Sequence, residues 1–192
     1  MIKFDQMDGR EVKGIHIGGV YAGRDGEVVR TVLGSCISVC LRDPLAQIGG
    51  MNHFMLPDGG GEEAGARYGV HAMELLINSC MNLGADRRRV EAKLFGGGHV
   101  LQMRESDNNV PCSNIRFALE FLQRETIPII TKDLGGYHAR EVLFFTDTGK
   151  VLLKRMDRGR GSALEQLAKE ERASLKPAPE YATIDDSNIT LF

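Results

Sequence analysis

Residues 31–44, TVLGSCISVCLRDP, place Cys36 and Cys40 in an apolar run that begins just after Gly34-Ser35 and stops at Asp43-Pro44. A short apolar run bounded by such residues reads as a β-strand entering a turn. The next apolar segment, IGGMNHFML at 48–56, has the same character, so the two predict a hairpin. Pro44-Leu45 fits the centre of a tight turn, because proline presets φ at its second position and Asp43 suits its first. A turn centred there sets Cys36 directly opposite His53. Opposed residues of an antiparallel pair share a face with Cβ atoms about 4.5–5.5 Å apart.

Outward from the hairpin, GIHIGGVYAG (14–23) and EVVRTVLGS (27–35) read as further strands. The segment YGVHAMELLINSCMNLGA (68–85) then puts Val70, Met73, Leu76, Ile77, Cys80 and Met81 on one helical face, with Gly84 as its stop. EAKLFGGGHV (91–100) is a strand running into a glycine turn. SNIRFALEFLQRE (113–125) is a second helix with Ser113 as its N-cap and Ile115, Ala118, Leu119 and Leu122 inward. IPIITKDLGG (127–136) and REVLFFTDTGKVLLKRM (140–156) add strands, the last two joined through Asp147-Thr148-Gly149. Strands, helix, strand, helix, strands, without strict βαβ alternation, predict an α+β domain of layered β-sheet with two main amphipathic helices packed on it. We expect that domain to occupy residues 1–160. Residues 161–192 then form a peripheral C-terminal helix, with a capping box at Ser162 and Glu165, followed by an acidic tail.

Several function classes are disfavoured by the bulk properties. The net charge of the 192 residues is -2, which argues against a broad nucleic-acid surface. No apolar run approaches the roughly 20 residues of a membrane helix, and MIKFDQMDGR lacks a secretory apolar stretch, so a cytoplasmic protein without membrane insertion is expected. Cys36, Cys40, Cys80 and Cys112 form no CxxC pair, and no histidine pairs with them at close metal-ligand spacing. Reduced thiols, no metal site and no cofactor are therefore expected. LFGGGH (94–99) lacks the Gly-Lys-Ser/Thr ending of a phosphate loop and reads as a close-packing or site-lining turn.

A thiol opposed to an imidazole has chemical meaning, because the thiolate is the nucleophile and the imidazole accepts its proton. Gly34 lets substrate approach the backbone, and N–H groups around Ser35 and Cys36 suit the oxyanion of a tetrahedral intermediate. We expect Gly34, Ser35 and Asn52 to meet the substrate. The site, at a strand end, is expected to be shallow and near the surface. The same residues also allow a plain reading, since a cysteine in an apolar strand is usually core.

TVLGSCISVCLRDP followed by GGMNHFMLPDGG resembles the CheD family, the chemoreceptor glutamine deamidases of bacterial chemotaxis, and the likeness continues through YGVHAMELLINSCMNLGA, AKLFGGG and IPIITKDLGGYHAREVLFFTDTGKVLL. It spans roughly Ile15 to Arg155. The resemblance implies a cysteine hydrolase that converts glutamine side chains of methyl-accepting chemotaxis receptors to glutamates with release of ammonia. It implies Cys36 as nucleophile, His53 as general base and Thr31 as third member. It also implies receptors as partners, a CheC-type phosphatase as a regulatory contact, and methylesterase activity on receptor glutamate esters by the same thioester route. A CheD-like binding module regulating such a phosphatase without turnover is the alternative. This chain departs from the family pattern at Tyr137-His138-Ala139 before Arg140, and at Pro111-Cys112 before Asn114.

Overall fold

The computed structural model describes residues 6–56, 61–100 and 110–156, with side chains in the second stretch from Tyr68 onward, and the isolated helical positions Lys169 and Ala173. The expected helix from Ser162 and the acidic tail otherwise lie outside the described residues.

Among the described residues, ten strands form two mixed five-stranded sheets. The first runs in the order β1 (Gln6–Met7), β2 (Arg10–Gly14), β4 (Val28–Leu33), β9 (Ala139–Phe145), β10 (Val151–Met156). The second runs β3 (Val20–Gly23), β6 (Ile48–Asn52), β5 (Ile37–Asp43), β7 (Glu91–Gly96), β8 (Ile129–Leu134). Helices α1 (Gly61–Asn82) and α2 (Val110–Arg124) pack on the second sheet. The layers are therefore sheet, sheet, helices, an α+β fold.

The stretch at 31–44 joins all three layers. Leu33 ends β4 in the first sheet, residues 34–36 cross over, and β5 enters the second sheet beside β6 and β7. Ile37, Val39 and Leu41 pack with α1 and α2, whereas Cys36 and Cys40 join Val29, Leu33, Met51, Val142 and Phe144 between the sheets. A strand buried on both faces explains the near-continuous apolar run.

The hairpin itself departs from expectation. Its turn holds four residues, Pro44–Gln47, and Asp43 pairs with Ile48. Asp43 Oδ1 accepts from Leu45 N (3.0 Å) and Ala46 N (3.1 Å), and Gln47 takes a positive φ of 55°. The longer turn shifts the register by two, so the expected direct opposition of Cys36 and His53 is corrected. An even shift keeps every side chain on its face.

Helix α1 begins seven residues before Tyr68, the start of the expected segment, at Gly61, and buries Met73, Leu76, Ile77 and Cys80. Helix α2 starts at Val110, so Ser113 lies inside the helix and does not cap it. Pro111 explains the early start, because its fixed φ and missing N–H suit a first helical turn. The β9–β10 hairpin closes through residues 146–150 as expected.

Candidate active site

Cys36 and His53 sit at the open end of the β5–β6 hairpin. Just beyond the ladder, Ile37 and Phe54 exchange two backbone hydrogen bonds (3.0 and 2.9 Å). Each of the two side chains precedes one member of that bridge, which makes them diagonal neighbours on the side facing the first sheet. Diagonal residues lie about 7–8 Å apart at Cα, within reach of an imidazole. Cys36 is 0% exposed and His53 1% exposed, so the expected shallow site is corrected to a buried one.

Thr31, on β4 of the first sheet, meets His53 across the inter-sheet layer. Its hydroxyl donates to Ile15 O at 2.9 Å and lies 2.8 Å from His53 Nδ1. A hydroxyl has one proton, so with that proton on Ile15 O it accepts from Nδ1–H. The tautomer follows: Nδ1 carries the hydrogen and Nε2 the lone pair. His53 Nε2 is buried and has no hydrogen-bond partner among the described residues. Leaving such an acceptor unpaired costs about 1–3 kcal/mol. Gly18 N donates to His53 O (2.7 Å) and His53 N to Gly19 O (2.9 Å), fixing the backbone as well. Burial, and to a smaller degree the charge of nearby His16, lower the His53 pKa to about 3. The ring is a neutral base at neutral pH.

Glycines shape the floor beneath the nucleophile. Gly97 N donates to Cys36 O and Gly98 N to Gly34 O, both at 2.7 Å. A Cβ at Gly96, where φ is +115°, would lie 2.2 Å from Cys36 O. LFGGGH is thus a close-packing turn beneath the Cys36 segment. Ser35 is buried with its hydroxyl on Met55 Sδ (3.5 Å). Asn52 is elsewhere: its Oδ1 accepts from Val39 N, and its Nδ2 faces Ala72 O and Met73 Sδ of α1. Alternation along the strand sends Asn52 to the helix face, so the structure does not bring it together with Cys36 and His53.

The comparisons with known proteins bear on this constellation. A family model described as CheD, chemotactic sensory transduction, matches residues 55–155. "Probable chemoreceptor glutamine deamidase CheD 1" of Dechloromonas aromatica (strain RCB) is 44% identical over 192 residues, covering 98% of this chain and 92% of that protein. The chain belongs to the CheD family. "Probable chemoreceptor glutamine deamidase CheD" of Stenotrophomonas maltophilia (strain K279a) and its namesake of Xanthomonas campestris pv. campestris (strain B100) are each 48% identical over 156 residues, covering 81% of this chain and 78% of each relative.

Two residues of this CheD chain reach the site without having been assigned a role there from the sequence, Asn114 having been noted only as part of the family pattern. Tyr68 of α1 reaches the site: its hydroxyl comes within 3.5 Å of where a Gly18 Cβ would stand. Burial, together with the charge a Cys36 thiolate would carry, pushes its pKa up. Asn114 of α2, fully buried, bonds both site segments. Tyr68 has no local sequence signal, and the family resemblance marks Asn114 without its contacts, which are made to distant chain. Among the described residues, no group of three or more His, Cys, Asp or Glu is placed to hold a metal, and no helix is long and apolar enough to cross a membrane.

Proposed function

We propose that this chain deamidates glutamine side chains of chemoreceptors, with Cys36 as nucleophile, His53 as general base and Thr31 as the group that orients it. The observation that carries the reading is His53, a diagonal neighbour of Cys36, held through Nδ1 with its buried Nε2 unpaired among the described residues. The Cys36 thiol gives its proton to Nε2 as sulfur bonds to the amide carbon. The proton then passes to the departing nitrogen and ammonia leaves a thioester. Water attacks the thioester, its proton taken by Nε2, and sulfur departs and recovers that proton, leaving glutamate. Backbone N–H groups of the Ser35–Cys36 segment supply the oxyanion contacts, and Gly34 admits the substrate. A neutral imidazole fits transfer of the proton during attack rather than a preformed ion pair.

The burial of Cys36 suits a long, unbranched glutamine side chain presented from a protein surface. A glutamate methyl ester offers the same carbonyl to the same route. The place of action that fits this substrate is the cytoplasm, and a CheC-type phosphatase is the regulatory partner we propose, competing with receptor for the Cys36 face. The test is incubation with purified receptor cytoplasmic fragments, followed by peptide mass spectrometry. Conversion of specific glutamines to glutamate by the wild type, and none by folded Cys36→Ala, is expected. Equal conversion by Cys36→Ala would overturn the mechanism. Stable receptor binding without conversion would favour the non-catalytic module.

A further inference from the structure

The nucleophile and the base stand on separate segments, and their relative placement needs a tie beyond the single Ile37–Phe54 bridge. Asn114, in the second turn of α2, provides one. Its Nδ2 donates to Ser35 O at 2.9 Å, one residue before Cys36, and its Oδ1 accepts from Leu56 N at 2.8 Å, three residues after His53. The side chain is 0% exposed. A carbonyl on one side and an N–H on the other leave the amide a single orientation, and either bond, once broken, leaves a buried group without its partner.

Resting on the active-site reading above, we propose that Asn114 is a positioning residue that fixes the Cys36 segment against the His53 segment and so sets the thiol-to-Nε2 geometry. It does not touch the reacting atoms. The Pro111 start of α2 brings it there: a helix capped at Ser113 would put Asn114 at its first residue, whereas the observed start at Val110 seats Asn114 inside the helix, a full turn along.

The test uses the full chain and two variants, read by deamidation of receptor fragments and, independently, by iodoacetamide alkylation of Cys36. In Asn114→Asp, the protonated acid reproduces the amide, its O–H donating to Ser35 O while the other oxygen accepts from Leu56 N. The carboxylate has no proton for Ser35 O and repels it. The ratio of variant to wild-type rate should therefore start near one at acidic pH and fall as pH rises through the new carboxyl's titration, a limb that wild type lacks. Asn114→Ala, which removes both bonds without adding charge, should lower kcat about ten- to a hundred-fold with KM little changed, the scale of a misplaced catalytic group. A flat ratio near one from about pH 5 to 9 for folded Asn114→Asp would overturn the proposal. If that variant does not fold, folded Asn114→Ala with wild-type kcat and alkylation, whatever its thermal stability, would do the same. Should wild type itself fail to deamidate, the reading of the function falls, while alkylation of Cys36 still decides the role of Asn114.

Discussion

At the turn of the β5–β6 hairpin, the buried Asp43 carboxylate accepts from Leu45 N, Ala46 N, Asp86 N and the Arg89 guanidinium. At the open end of the same hairpin, the backbone is held by Phe54, Gly97 and the Asn114 amide, and the neutral His53 has its Nε2 unpaired among the described residues. The first end uses its acceptor fully for cohesion. The second keeps an acceptor in reserve at a cost to stability, which is what a general base needs. Cys40 sharpens the contrast within one strand: four residues beyond Cys36 and on the same face, it is packed in the same layer, and burial pushes its thiol well up from the ordinary value.

If the two ends differ in this way, mutations at each should move different quantities. His53→Ala should cut deamidation at least about a hundred-fold, the scale of lost general base catalysis, while the protein remains folded by circular dichroism. Asp43→Ala should do the reverse. It strands several partly buried donors, so thermal unfolding should show a loss of about 1–3 kcal/mol, with kcat of the folded fraction unchanged. The pH dependence has a definite sign. The Arg89 guanidinium, ahead of the backbone donors, holds the Asp43 carboxyl well below its usual range. A depressed folded pKa means that this stabilisation is fully present above about pH 4 and is lost as pH falls through the folded value. The gap in Tm between wild type and Asp43→Ala should narrow on acidification below pH 4; a gap constant down to about pH 2 would contradict the assignment. The smallest effect is expected from Thr31→Val, which keeps the shape but removes the acceptor for Nδ1–H. A lost orienting bond of about 0.5–1.5 kcal/mol lowers kcat roughly two- to thirteen-fold, and a loss as complete as that of Cys36→Ala would show that Thr31 does more than orient.

Much of this contrast could be read in the residues. The alternation that puts Cys36, Cys40, Met51 and His53 on one face depends only on strand parity, so it survived a turn longer than expected. The exact register did not, because Pro44-Leu45 fits a two-residue turn equally well, and only the tertiary partners of Asp43, Arg89 and the Asp86 amide, complete the four-residue one. The start of α2 differs for a similar reason: Ser113 satisfies the local capping rule, while Pro111, two residues before it, suits the first turn of a helix that begins at Val110. Burial of the site and the contributions of Tyr68 and Asn114 arise from segments far apart in sequence, which no periodicity encodes. Asn52 shows the limit from the other side, since adjacency to His53 in sequence places it on the opposite face.

The central claim, that Cys36 is a thiol activated by His53 while Cys40 is core, is tested most directly by timed iodoacetamide labelling of the native protein at neutral pH, with each cysteine quantified by peptide mass spectrometry. Cys36 should label well ahead of Cys40 and Cys80, and that lead should shrink in folded His53→Ala. Labelling of Cys36 and Cys40 at one common rate, unchanged by His53→Ala, would contradict the account and leave Cys36 a packing residue.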